Sequence, residues 1–192
     1  EYFPLQLGSG DYSIKILKNI EGNRYSVLKS QALTVKEVPN NVYLTSSQPV
    51  YWEESKLLMD VRKDIFSTRD SDLTKIRKAY NYILTNYTYD FNKIDTISNE
   101  YVPVMDSVIN DKSGICYDFA AVFAGLLRSE GIQTKLVKGY RSDLNGYHAW
   151  NEVLYRGKWV IIDTTYDLAL VNSKTVVSMM KDSNLYEKVR EY

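Results

Sequence analysis

Ser113-Gly114-Ile115-Cys116-Tyr117-Asp118-Phe119-Ala120 is the stretch from which the rest of the chain can be read. It carries the single cysteine among 192 residues. It also opens a run in which Phe119, Ala120, Phe123, Ala124 and Leu127 fall at helical spacing, closed by Gly131. Gly114 leaves room for a close backbone approach just ahead of that helix. A cysteine in the first turn lies beside unpaired backbone amides and the positive end of the helix dipole. Both favour the thiolate, which is the nucleophilic form. The same amides can stabilise an oxyanion when a carbonyl is attacked. Taken alone, a free cysteine is more often a small buried hydrophobe.

Two later blocks change that balance. Tyr147-His148-Ala149-Trp150-Asn151-Glu152 holds the single histidine, and Trp159-Val160-Ile161-Ile162-Asp163-Thr164-Thr165 holds an aspartate at the end of an apolar run. Both read as strands, over 149–155 and 158–164, joined by a tight Arg156-Gly157 turn. If Tyr155 pairs with Lys158, Trp150 stands opposite Asp163 and His148 opposite Thr165. All four then share one face, because side chains alternate along a strand. His148 and Asp163 become diagonal neighbours. A carboxylate bonded to one imidazole nitrogen fixes the tautomer and leaves the other nitrogen for the thiol. A slip of one residue would separate them. A nucleophile, a base and an orienting acid are the set that covalent catalysis requires.

Around this centre the chain suits one domain with a small attachment, residues 46–192 and 1–45 respectively. In 1–45, Tyr12, Ile14 and Ile16 alternate with polar residues, Glu21-Gly22-Asn23 is a turn, and Tyr25, Val27, Leu33 and Val35 continue in extended style. Two or three antiparallel strands are expected, with a break at Ser30 or Gln31 and an end at Pro39-Asn40-Asn41. Leu57, Leu58, Val61 and Ile65 mark a helix within 53–66. Ser71 or Asp72 caps a second one, carrying Ile76, Ala79, Tyr80, Ile83 and Leu84. Residues 92–112 read as an irregular connection. A strand is expected over 134–139 and a polar turn over 141–146. Beyond 167 a strand at 175–179 and a polar tail are expected. The order of elements is that of an α+β fold. Trp150 and Trp159 are expected in the core, and the charges of 53–78 on a solvated helix face. Asp118 is accounted for by the helix dipole. Glu152 is expected to point away from the reacting atoms or to pair with a base.

Composition narrows the function. The 24 basic and 24 acidic side chains cancel, and no basic block tracks a phosphate backbone, which argues against nucleic acid as a partner. No apolar run is long enough to span a membrane. One cysteine excludes an intramolecular disulfide. The chain opens on Glu1, not methionine, which leaves room for a targeting segment ahead of it.

The Cys116, His148 and Asp163 blocks resemble the motifs of the transglutaminase-like superfamily. Arg128-Ser129-Glu130-Gly131-Ile132, Lys135 to Tyr140 and Thr85-Asn86-Tyr87-Thr88-Tyr89-Asp90 are similar to segments that flank those motifs. The resemblance covers about residues 50–167, and the β-rich start is similar to the leader region of secreted bacterial members. It implies a papain-like core in which a helix bearing Cys116 packs on an antiparallel sheet bearing His148 and Asp163. It implies acyl transfer on protein or peptide amide bonds through a Cys116 thioester, without metal or organic cofactor, in a secreted or cell-surface protein. Tyr117 stands where the animal calcium-dependent enzymes carry tryptophan, and no acidic loop has calcium-ligand spacing, so calcium activation is not carried over. Asn86, Tyr87 and Tyr89 are candidates for a second oxyanion donor. The alternative is a binding or scaffold module of the same fold that grips a peptide without catalysis.

Overall fold

The computed structural model of the chain describes residues 4–6, 8–37, 41–98 and 100–192. It divides into two compact units, Pro4–Val42 and Tyr43–Tyr192. In the first, β1 (Gly10–Glu21) and β2 (Arg24–Val35) form an antiparallel hairpin. Its alternation does not produce a buried face: Ile14, Ile16, Ile20, Val27 and Leu28 are all exposed. The irregularity expected at Ser30 or Gln31 falls earlier. Ile16 pairs with Lys29 and Leu17 with Val27, so Leu28 is the extra residue of a bulge. A bulge depends on how two strands count against each other, which one strand's sequence does not show. The expected end at Pro39 and Asn40 lies outside the described residues.

In the second unit, α1 (Lys56–Ile65) and α2 (Asp72–Asn86) start at serines. Ser55 Oγ accepts from the Leu58 amide at 3.1 Å and Ser71 Oγ from the Thr74 amide at 3.3 Å. β3 (Thr88–Tyr89) follows. The 92–112 connection is more ordered than expected. It lies almost wholly within a segment holding α3 (Phe91–Thr96) and α4 (Met105–Asp111), and α4 buries Met105, Val108 and Ile109. Helices of two turns or fewer leave little periodic signal. β4 (Ser113–Gly114) then pairs in parallel with β3 and delivers the chain to α5 (Cys116–Arg128).

α5 is the axis of the unit, with every residue from Tyr117 to Arg128 buried. Its small residues let neighbours approach: a Cβ on Gly125 would lie 2.7 Å from Leu58 Cδ1. One side of α5 packs on β5 (Thr134–Arg141) and β6 (His148–Tyr155). The remaining elements are β7 (Lys158–Ile162), α6 (Thr164–Asn172), β8 (Met180–Lys181) and β9 (Tyr186–Glu191). α1, α2, α4 and α6 surround the other sides of α5. The sheet runs β8-β7-β6-β5-β9 and is antiparallel throughout. A cysteine-bearing helix on an antiparallel sheet is the expected papain-like α+β architecture.

The Arg156-Gly157 turn has positive φ at both residues, 51° and 76°, the signature of a type I′ hairpin, and Tyr155 pairs with Lys158. The ladder ends at Asn151 and Ile162, so the Trp150–Asp163 and His148–Thr165 pairs do not form. Asp163 instead leaves the strand and caps α6, its Oδ1 accepting from the Tyr166 amide at 3.0 Å. The strand expected at 175–179 is absent; β8 lies just beyond it, and the polar tail supplies β9 on the edge beside β5. An edge strand faces solvent along one side and carries a weak apolar pattern.

β9 can sit there because residue 139 lacks a side chain. A Cβ on Gly139 would lie 2.0 Å from the Glu187 carbonyl oxygen and 2.8 Å from Trp150 Cη2. Gly139→Ala is therefore expected to cost at least about 2 kcal/mol of stability, since a backbone and a packed indole must both move. Faster amide exchange across β9 than across β6 would locate the damage. Unchanged melting would show that β9 yields without cost.

Candidate active site

Cys116 is the first residue of α5, behind an extended Ile115. The geometry of this turn is held by Asp118, which the dipole alone does not explain. Its buried carboxylate accepts from the Ile115 amide at 2.9 Å, Lys93 Nζ at 2.7 Å and the Tyr101 hydroxyl at 2.5 Å. Three donors, one of them charged, satisfy an acid that would otherwise be costly to bury. Gly114 serves this carboxylate and not a backbone approach: a Cβ there would meet Asp118 Oδ2 at 2.7 Å.

The structure brings Cys116, His148 and Asp163 together. His148 opens β6, and its Nε2 lies 2.8 Å from Asp163 Oδ2. Cys116 acts on the same imidazole and raises its pKa, and with Nε2 turned to Asp163 the nitrogen left for sulfur is Nδ1. The Asp163 side chain is wholly buried, and its Oδ2 also accepts from the Tyr186 hydroxyl at 3.0 Å. One carboxylate thus caps α6 and orients the histidine. Tyr186 comes from β9 and was invisible in the polar tail; a lone tyrosine among charged residues is its only sequence signal. Trp150 stacks on the imidazole, centroids 6.2 Å apart and planes inclined by 26°.

Burial works against a charged His148, yet the hydrogen bonds and charges of Asp163 and Cys116 outweigh it and push its pKa from 6.5 up to about 10. A pKa raised by folding stabilises the protein fully below about 6.5, and that stabilisation fades as pH rises through about 10. Melting temperature is therefore expected to fall more steeply over this window in the wild type than in His148→Gln. Parallel curves would contradict the pairing.

Other expected residues divide. Trp150 is core, but Trp159 is 38% exposed and stands edge-on to Tyr43, with Lys135 above its ring at 4.4 Å. It lies near the hairpin turn on β7, where the sheet has little to cover it. Glu152 pairs with Lys188 at 3.0 Å. The charges of 53–78 are not all solvated, since Arg62 and Lys75 both reach Glu130, at 2.7 and 2.6 Å. Of the three oxyanion candidates, Asn86 turns its amide back to the Tyr82 carbonyl at 2.9 Å, and Tyr87 packs against Tyr82 and Phe119. Tyr89 lies near the thiol: burial first, then charge on Cys116, pushes its phenol up. Asn151 was not singled out by the sequence. Its buried amide donates to the Ala120 and Lys135 carbonyls at 3.0 and 3.1 Å, tying the cysteine helix to the sheet.

Among the described residues, no three His, Cys, Asp or Glu side chains gather as metal ligands, and no helix is long and apolar enough to cross a membrane. The model of the transglutaminase-like superfamily matches residues 60–164, more than half of the chain. Kyphoscoliosis peptidase of Mus musculus is 26% identical over 129 residues, covering 62% of this chain and 19% of that protein. The chain thus spans about a fifth of the length of that relative. A candidate cysteine protease from Cytophaga hutchinsonii superposes with a TM-score of 0.60 at 16% identity, over 100% of this chain and 74% of its own. The periplasmic domain of TgpA from Pseudomonas aeruginosa does so with a TM-score of 0.50 at 21% identity, over 77% and 57%. These likenesses establish a shared fold.

Proposed function

Because the chain belongs to the transglutaminase-like superfamily, we propose that it is a thiol-dependent enzyme that transfers acyl groups from amide bonds of protein or peptide substrates. The observation that carries this reading is the contact of Cys116 with an imidazole whose far nitrogen is held by a buried carboxylate. Cys116 is the nucleophile, His148 the proton carrier and Asp163 the orienting group. The activity belongs outside the cytoplasm, as the resemblance to secreted bacterial members implies; the fold shared with a periplasmic domain is compatible with this.

The thiolate sulfur attacks the amide carbonyl carbon, and the carbonyl oxygen becomes an oxyanion. The Cys116 amide, at the head of α5 where the helix offers it no carbonyl, is one donor for it. His148 gives its Nδ1 proton to the leaving nitrogen, the C–N bond breaks, and a thioester remains. Neutral His148 then takes a proton from water or from an incoming amine, whose lone pair attacks the thioester. The sulfur leaves as thiolate beside a recharged imidazolium. Whether water or amine completes the cycle depends on which reaches the thioester.

Tyr89 is the second oxyanion donor in this scheme. Tyr89→Phe is expected to lower acyl transfer by roughly 10²-fold while leaving alkylation of Cys116 unchanged, because only the former builds charge on oxygen. Equal losses in both would place Tyr89 in support of the thiol instead.

Incubation with peptides from a digested bacterial lysate, with and without a biotinylated primary amine, tests the whole reading. Intact mass spectrometry should show hydroxylamine-labile acyl adducts on Cys116, absent from Cys116→Ala, and Cys116-dependent cleavage or amine incorporation in the peptides. Peptides held without any covalent adduct or turnover would favour a non-catalytic binding module.

A further inference from the structure

A groove of about 580 Å³ lies in the second unit, walled by Tyr101, Tyr117, Tyr147 and Tyr192, with Lys138 and Arg190 as the two cations of its lining. Cys116, His148 and Asp163 do not line this groove, but Tyr117 follows Cys116 and Tyr147 precedes His148 in sequence, and the charge of Cys116 reaches Lys138. Lys138 stands opposite Arg190 where β5 pairs with β9. Like charges directly across a sheet repel. Lys138 Nζ is 3.2 Å from the centre of the Tyr117 ring, and the charge at Cys116 acts on it. Neither cation has a carboxylate partner among the described residues, and no acid lines the groove. Glu152 and Glu191 are engaged with Lys135 and Lys188. Burial, with Arg190 nearby, pulls the Lys138 pKa down to about 8. An anion between the two cations would relieve that cost.

Building on the acyl-transfer reading, we propose that this groove receives an acidic side chain of the protein substrate, its carboxylate set between Lys138 and Arg190. The tyrosines supply an amphipathic wall for the neighbouring peptide, and the cations supply charge-assisted hydrogen bonds. The substrate class is thus a protein segment with Asp or Glu close to the amide that is attacked.

Peptide vinyl sulfones that alkylate Cys116 test this, with Glu, Gln or Lys placed at one position at a time. The second-order rate of mass gain is compared within each enzyme variant, so differences in folding cancel. At one position Glu is expected to exceed Gln by roughly tenfold. Lys138→Gln and Arg190→Gln should each reduce that ratio, and Arg190→Glu should move the preference to Lys. Absence of a Glu preference at every position, or a preference that survives in both Gln variants, overturns the proposal. Failure of the acyl-transfer reading looks different: all peptides would label Cys116 slowly and independently of His148. In that case the groove is still read by fluorescence anisotropy, using labelled Glu, Gln and Lys peptides without the sulfone on Cys116→Ala. Equal binding of the three would overturn the acidic-side-chain assignment.

Discussion

Replacing His148 with alanine is expected to lower acyl transfer by about four orders of magnitude, because thiol and imidazole act as a unit. The loss has two sources. The imidazolium that sits beside sulfur disappears, and with it the proton that the leaving nitrogen needs. Burial would ordinarily discharge such a ring, but Asp163 and Cys116 hold it charged up to about pH 10. The variant thus lacks a charge as well as a base, and raising the pH should not restore turnover. Measurement of kcat against pH in both proteins checks this. A loss of less than about tenfold would mean that His148 is not the proton carrier.

Asp163→Asn ranks second, with an expected loss of about 10³- to 10⁴-fold. The amide keeps the shape of the carboxylate, and its oxygen can still cap α6 at the Tyr166 amide. It cannot supply charge to Nε2, and with its oxygen on the cap an NH2 group takes the place of Oδ2. Oδ2 accepts from both His148 and Tyr186, whereas an amide NH2 accepts from neither and favours the wrong imidazole tautomer. Little change in melting with a large fall in kcat is the predicted combination. Asp163→Ala should in addition lose about 1 kcal/mol of stability with the cap. If Asn and Ala variants melt alike and retain near-normal kcat, Asp163 is a cap and nothing more.

The parts of the site written in local patterns were legible in the sequence. Cysteine at a helix start follows from the spacing of Phe119, Ala120, Phe123 and Ala124. The hairpin register follows from Arg156-Gly157, since a two-residue turn allows few pairings. The end of β7 was not legible, because Asp163 serves equally as a strand residue and as a cap. It reaches His148 from just beyond the strand, outside the β6–β7 ladder. Asp118 hid its three donors because Lys93 and Tyr101 lie on a segment with little periodicity. Tyr186 and β9 were missed because nothing in an edge strand announces which neighbour it joins. Gly139 shows the same limit: its need for no side chain is set by Glu187, 48 positions away in the chain and in contact only after folding.

Whether Cys116 and His148 work as one reactive pair is read from alkylation of Cys116 by iodoacetamide. Followed by intact mass from acid to alkaline pH, the wild type should already react fast near neutrality. His148→Ala should react slowly there and accelerate only in alkali, as a free cysteine does. Coincident profiles in the two proteins would mean that His148 does not activate Cys116.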